Sequence, residues 1–220
     1  PVIPPFILFM CATTWWALCY AVQLARADLA TQVLITTIEY PAIATAPVAW
    51  LLVVLCYTGH EHLLTWRNIA ALFIIPVTVV ILVATNPYHF LYYTIFTPAT
   101  VYGATVWNFA HGPLFWIQAG YGYLCLVLAF LLIASRFLTT PAIYRQQIIV
   151  LFLAAGIPVL ANIAFLMEIV PFPGIDITPF TFTLMGTVIA FGIFRFRLFS
   201  LMPVAYPVIF TAIDDAIIVL

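Results

Sequence analysis

Residues 30–58 read ATQVLITTIEYPAIATAPVAWLLVVLCYT, a run with a single charged side chain, Glu39. A helix that crosses the hydrocarbon core of a bilayer uses about 20 mostly apolar residues. This stretch exceeds that length, so it predicts a transmembrane helix that tilts. Five more runs share its character, at about 2–24, 68–85, 113–137, 142–170 and 177–199. Breaks separate them: Arg26 and Asp28, Gly59-His60-Glu61-His62, Asn86-Pro87, Arg136 before Pro141, and Pro171-Phe172-Pro173-Gly174. The last run closes on Phe194-Arg195-Phe196-Arg197. The expected fold is an all-α membrane protein, a six-helix transmembrane bundle.

The whole composition agrees with that reading. The chain has 220 residues, of which 66% are apolar and 6% charged, and its mean hydropathy is +1.22. Soluble domains are about 45–50% apolar and about 25% charged. A soluble globular protein, a disordered tail and a nucleic-acid binder are therefore excluded. The formal net charge of −1 supplies no field to steer an acidic partner. There is no lysine, so a retinal Schiff base is excluded too. Cys11, Cys19, Cys56 and Cys125 fall inside apolar runs without a C-x-x-C pair and read as small packing residues. The start lacks the positive region and cleavage site of a signal peptide, and the far end, AIDDAIIVL, stops mid-pattern. The expectation is a piece of a longer protein.

The arginines orient the bundle. Alternating sides places Arg67, Arg136, Arg145, Arg195 and Arg197 on one face and Arg26 alone on the other. Cytoplasmic loops carry the excess of positive charge. Both ends should then be cytoplasmic, with loops 25–29, 86–112 and 171–176 outside. Loop 86–112 is long and uncharged. It holds β-forming runs, Phe90-Leu91-Tyr92-Tyr93-Thr94-Ile95-Phe96 and Thr105-Val106-Trp107-Asn108-Phe109, around Thr97-Pro98 and Tyr102-Gly103. That pattern predicts a β-hairpin across the outer mouth of the bundle; the competing reading is an interfacial aromatic belt.

Glu39 is the residue a membrane should least contain. It lies about nine residues inside its span, about 13 Å deep at 1.5 Å per residue. Ionisable groups at such depth face the bundle interior and mark functional sites by default. Its helical stripe is Ala42, Ile43, Ala46 and Trp50, and small residues of that kind allow close helix packing. Equal depth in the other spans picks out Asn162, Trp16, Tyr20, Thr78, Gln118, Tyr121 and Thr183. The opposite half, Leu124 to Ala134 for example, is almost bare of polar atoms. The pattern predicts a cavity that opens outwards and is sealed inwards. The alternative is helix glue, with Asn, Gln and Thr bridging helices at about 0.6 kcal/mol each. Pro41, Pro47, Pro76 and Pro158 interrupt spans, and kinks there free backbone carbonyls. His60 and His62 are two apart on a loop, opposite His89 and His111, so no metal site is expected. No catalytic motif and no phosphate-binding loop is present, so no catalytic residue and no cofactor is expected.

A series of short motifs resembles the N-terminal seven-transmembrane sensor region of histidine kinases. Ile38-Glu39-Tyr40 leading to Pro47-Val48-Ala49-Trp50 resembles that family's third helix. Thr85-Asn86-Pro87-Tyr88-His89 is similar to the turn after its fourth helix, and Gly112-Pro113-Leu114-Phe115-Trp116 to the start of its fifth. Tyr144-Arg145-Gln146-Gln147 and Pro158-Val159-Leu160-Ala161-Asn162 resemble its sixth helix. Asp176-Ile177-Thr178-Pro179 resembles the start of its seventh, and Phe196-Arg197-Leu198-Phe199 with Pro203-Val204-Ala205 its exit. The resemblance implies that the intact bundle has seven helices and that the first is missing here. It implies a transmembrane sensor over 1–199, then a cytoplasmic linker and the start of a truncated PAS-like output domain over 200–220. The motifs add Tyr40, His89 and Asp176 to the ligand-binding candidates Glu39, Asn162, Trp16, Tyr20, Gln118 and Tyr121.

The expected function follows: a multi-pass domain of a prokaryotic cell membrane, not itself an enzyme, passing an extracellular or membrane-borne signal to a cytoplasmic kinase or PAS module. Its expected partners are the lipid bilayer, an unidentified small-molecule or lipid ligand, that module and a second copy of the chain. Nucleic acid is not among them. The rivals are a proton-coupled transporter or channel using Glu39, and a passive anchor or dimerisation domain.

Overall fold

The protein is described here from a computed structural model covering residues 2–101, 104–141, 145–169 and 175–196. The expectations that rest on Tyr102-Gly103, Tyr144, residues 171–174, Arg197, and the linker and PAS-like start at 200–220 lie outside the described residues. In chain order the elements are α1 (Ile3–Leu24), α2 (Leu29–Tyr57), a 3-10 turn (Glu61–Leu63), α3 (Trp66–Ala84), the short α4 (Asn86–His89), β1 (Tyr93–Val101), β2 (Ala104–His111), α5 (Pro113–Thr139), α6 (Arg145–Leu166) and α7 (Thr178–Phe196). Among the described residues six helices are long and apolar enough to cross a membrane: α1, α2, α3, α5, α6 and α7.

The helices begin and end where local chemistry stops them. Asp28 caps α2 by accepting a hydrogen bond from the Thr31 N–H at 2.9 Å, and Thr65 caps α3 by accepting from the Asn68 N–H at 3.3 Å. Proline opens α5 at its first turn, where a missing N–H costs nothing. α2 closes through Gly59, whose φ of +81° needs no Cβ. The His60 N–H then donates to the Leu55 carbonyl at 2.8 Å and the Gly59 N–H to that of Cys56 at 3.3 Å, the paired bonds of a Schellman closure.

α2 is the central helix. It packs on α1, α3 and α5, while α7 packs on α1 and α6, and α6 on α5. Five helices thus close a ring, α1–α2–α5–α6–α7, with α3 against its outside. Val48, Ala49, Trp50, Val53 and Val54 of α2 are almost wholly buried, against Cys125, Ala129 and Ile133 of α5 and Leu151 and Ala154 of α6. Lipid is as apolar as leucine, so close van der Waals contact drives this packing, and small side chains permit it.

β1 and β2 form the antiparallel hairpin foreseen in loop 86–112, with Phe96 opposite Phe109 and Pro98 opposite Trp107. Its base is tied down by one buried side chain. Asn86 Nδ2 donates to the Tyr93 carbonyl at 3.0 Å. Its Oδ1 accepts from the N–H groups of Tyr92 at 3.0 Å and Tyr93 at 3.1 Å. Gly112 closes the other strand: its N–H donates to the Tyr92 carbonyl at 2.7 Å, and a Cβ there would collide with the backbone carbonyl of Leu91. Two longer reaches lay the hairpin over the bundle. The Tyr93 hydroxyl donates to that of Tyr40 on α2 at 2.8 Å, and Trp107 Nε1 donates to the Ala27 carbonyl in the α1–α2 turn at 2.7 Å.

Candidate functional site: a cavity beneath the hairpin

Inside the helix ring lies a cavity of about 230 Å³. α1, α2, α5, α6 and α7 all contribute walls; Tyr93, Trp107, Asn108, Phe109 and His111 of the hairpin border one end. Along α2 its lining runs from Thr36 to Trp50, about 21 Å at 1.5 Å per residue. Most of the wall is aromatic or aliphatic, with a few polar groups converging on it.

Glu39 is one of those groups. Its residue is 3% exposed, it lines the cavity, and its carboxyl has no hydrogen-bond partner among the described residues. The stripe read from the sequence is its setting: Ala42, Ala46 and Trp50 are buried beside it. Gln118 faces the same space from α5; it is 6% exposed and its Oε1 has no partner. Two buried polar groups without partners in one apolar cavity are costly to leave so, since each forfeits its hydration.

On the other side a chain of hydrogen bonds joins three helices. The Tyr123 hydroxyl on α5 donates to Asn162 Oδ1 on α6 at 2.7 Å. Asn162 Nδ2 donates to Thr178 Oγ1 at the start of α7 at 3.3 Å. The Thr178 N–H donates to Asp176 Oδ1 at 2.8 Å, and the Asp176 N–H to the Tyr20 hydroxyl of α1 at 2.7 Å. Burial pushes the Asp176 carboxyl above the usual carboxylate range, and its bonds from Thr178 pull the other way without cancelling that. His111 stacks on Phe115 with ring centroids 3.7 Å apart. Burial holds its imidazole down to about 4, so it is neutral at pH 7.

Of the nine residues picked from the sequence, seven line the cavity: Glu39, Tyr40, Asn162, Trp16, Tyr20, Gln118 and Asp176. Two do not. The Tyr121 hydroxyl turns to α3 and donates to the Leu72 carbonyl at 2.7 Å. His89 stays local, its Nε2 3.2 Å from Thr85 Oγ1 and its Nδ1 accepting from the Leu91 N–H at 3.0 Å. Thr78 and Thr183, chosen at the same depth, are exposed; the Thr78 hydroxyl donates to the Ile74 carbonyl of its own helix, and the Thr183 backbone carbonyl accepts from the Thr187 hydroxyl. Pro47 and Pro158 line the cavity, whereas Pro41 is exposed on the far side of α2. Sequence reading missed Tyr123, Gln23, Thr36 and the hairpin's Trp107 and Asn108. Tyr123 had a signal: on α5 it stands four residues past Ala119 and eight past Phe115, one helical face.

No group of His, Cys, Asp and Glu able to hold a metal ion occurs among the described residues. No curated protein and no solved structure matches the chain. A family model described as the N-terminal 7TM region of histidine kinase matches residues 1–203. The motifs that carried the resemblance meet around the cavity: Glu39 and Tyr40 on α2, Asn162 on α6, Asp176 and Thr178 at the start of α7. The chain belongs to the family of N-terminal seven-transmembrane regions of histidine kinases.

Proposed function

We propose that this domain is a sensor whose ligand enters from outside the cell and binds in the cavity beneath the hairpin, shifting the bundle between two packings that a cytoplasmic output module reads. The observation that carries the reading is the pair of buried polar groups, Glu39 and Gln118 Oε1, without partners among the described residues in an apolar cavity. Binding sites have this form: apolar walls with a few placed polar groups. A ligand that satisfies those groups in one packing and not in the other biases the equilibrium by that difference.

The route outwards from the cavity runs along α7. At the hairpin end Thr178 and Asp176 are held by Asn162 and Tyr20. At the far end the Phe196 carbonyl accepts from Gln147 Nε2 of α6 at 2.7 Å, and Gln147 Oε1 lies 3.4 Å from the Tyr57 hydroxyl of α2. A change at the cavity therefore reaches the end of α7 through polar ties at both ends of one helix. A transporter needs polar groups continuing through the far half of its path, and around Cys125, Ala129 and Ile133 the core is apolar.

The test is chemical. Protein purified from its native membrane is extracted and the extract compared by mass spectrometry with that of Ala119→Trp, which fills the cavity. The expected result is a small molecule retained by the native chain and at least tenfold depleted in the variant. Identical extracts, together with unchanged autophosphorylation of the full-length variant, would overturn the reading.

A further inference from the structure

We infer that the cavity recognises an organic ammonium: a hydrogen-bond-donating cationic nitrogen on a compact apolar body. This rests on reading the cavity as a ligand site and adds the chemical class of the ligand.

The first support is the charge of the wall. Glu39 and Asp176 both line the cavity, and no arginine does among the described residues. The chain has no lysine to supply a counter-charge. Of the described arginines, only Arg26 stands at the hairpin end; it is exposed. His111, the one ionisable base on the wall, is held neutral by its burial. Asp176 has the Thr178 N–H as a partner; a buried carboxyl without one, as at Glu39, is compensated by a cation or a donor from elsewhere.

The second support is the count of hydrogen-bonding capacity. Several donors near Asp176 are engaged: Asn162 Nδ2 on Thr178, the Tyr123 hydroxyl on Asn162, and the backbone N–H groups of Asp176 and Thr178 on Tyr20 and Asp176. Acceptor capacity stays open towards the cavity at the Glu39 carboxyl and at Gln118 Oε1, neither with a partner among the described residues. An ammonium supplies donors and no acceptor. An anion would meet two carboxyls and no arginine among the described residues of the wall. Trp50 Nε1, a fully buried donor on the wall without a partner among the described residues, lies eleven residues further along α2 than Glu39, about 16 Å away along the axis. It is at the other end of the cavity from the acidic groups.

The third support is aromatic. Trp16, Tyr20, Phe115 and Phe182 line the same cavity as Glu39, and ring faces attract a cation within about 6 Å, more strongly when water is excluded. The cavity's 230 Å³ equals roughly eight waters at about 30 Å³ each, room for a compact head and a ring-sized body. Both a free amine and the ethanolamine head of a lipid have this chemistry.

The chain in phosphatidylglycerol nanodiscs, which contain no amine, provides the test, with binding followed by quenching of the cavity tryptophans and by thermal stabilisation. The probes are phenethylammonium, its neutral analogue phenethyl alcohol and its anionic analogue 3-phenylpropionate. Phenethylammonium should bind saturably, the alcohol at least tenfold more weakly, and the propionate not at all. Glu39→Gln, of nearly the same shape, should weaken the ammonium at least tenfold and leave the alcohol unchanged; Asp176→Asn should weaken the ammonium as well. In nanodiscs containing phosphatidylethanolamine, weakened binding of the ammonium would support a lipid head as the source and unchanged binding a free amine. Equal binding of alcohol or propionate, or an ammonium insensitive to Glu39→Gln, would overturn the ammonium class and leave the ligand cavity standing. Binding by none of the three would overturn both.

Discussion

At the scale of single residues, Asn86 shows how one amide can hold a β-hairpin to a helical bundle. Three backbone groups at the hairpin's base, the N–H groups of Tyr92 and Tyr93 and the carbonyl of Tyr93, bond to it. Net hydrogen bonds are worth about 1 kcal/mol each, and a buried group left unpaired costs about 1–3 kcal/mol. Asn86→Ala should therefore destabilise the docked hairpin by about 3 kcal/mol. Asn86→Asp keeps two of the three bonds and should cost less. Hydrogen exchange at the Tyr92 and Tyr93 amides reads this; unchanged protection in the alanine variant would refute it. The sequence announced Asn86 only as the end of a span, because its partners are backbone groups six and seven residues on. Glu39 was legible for the opposite reason: a carboxyl in a hydrophobic run violates the solvent and needs an explanation wherever the helix turns. Depth can be counted along a chain, but rotation cannot. That is why Thr78, Thr183 and Tyr121 share the level of Glu39 and face elsewhere.

At the scale of elements, the spans were readable because bilayer thickness fixes their length, and their observed ends fall within four residues of the expected ones. The hairpin was readable from β-forming runs, but its seating was not. That depends on Trp107 reaching Ala27, 80 residues earlier, and on His111 lying flat on Phe115. The second contact makes the seating pH-dependent. The His111 imidazole, held at about 4 in place of 6.5, stays neutral when docked and takes a proton sooner when released. The released state thus binds more protons between these values. Seating should be complete above about pH 6.5 and weaken as pH falls towards about 4. Asp176 works in the other direction: its raised carboxyl favours the folded form at low pH and costs stability as pH rises past its folded value. The two are separable with His111→Phe, which keeps the stack and removes the titration. Exchange of the β2 amides, corrected for intrinsic rates, should accelerate on acidification in the native chain and stay flat in that variant. Equal acid sensitivity in both would show that His111 does not govern the seating.

At the scale of the whole molecule, the direction in which the cavity opens depends on which side of the membrane the hairpin occupies. The folded chain sorts its described arginines cleanly. Arg67 begins α3, Arg136 lies near the end of α5, Arg145 begins α6 and Arg195 ends α7. All four sit at the end of the bundle away from the hairpin, and Arg26, in the α1–α2 turn, is alone at the hairpin end. Acidic residues contribute little to orientation, so Asp28 and Asp176 at the hairpin end do not offset the bias. The hairpin and the mouth of the cavity should then face outside, and the free end of α7 the cytoplasm. Thr100, exposed near the tip of β1, reports this directly. Thr100→Cys in a chain whose four native cysteines are replaced should react in intact cells with a membrane-impermeant maleimide. A cysteine at Arg67, beside the opposite end of the bundle, should react only after permeabilisation. The reverse pattern would turn the bundle over: the cavity would open to the cytoplasm, and an external signal could not reach Glu39 by that route.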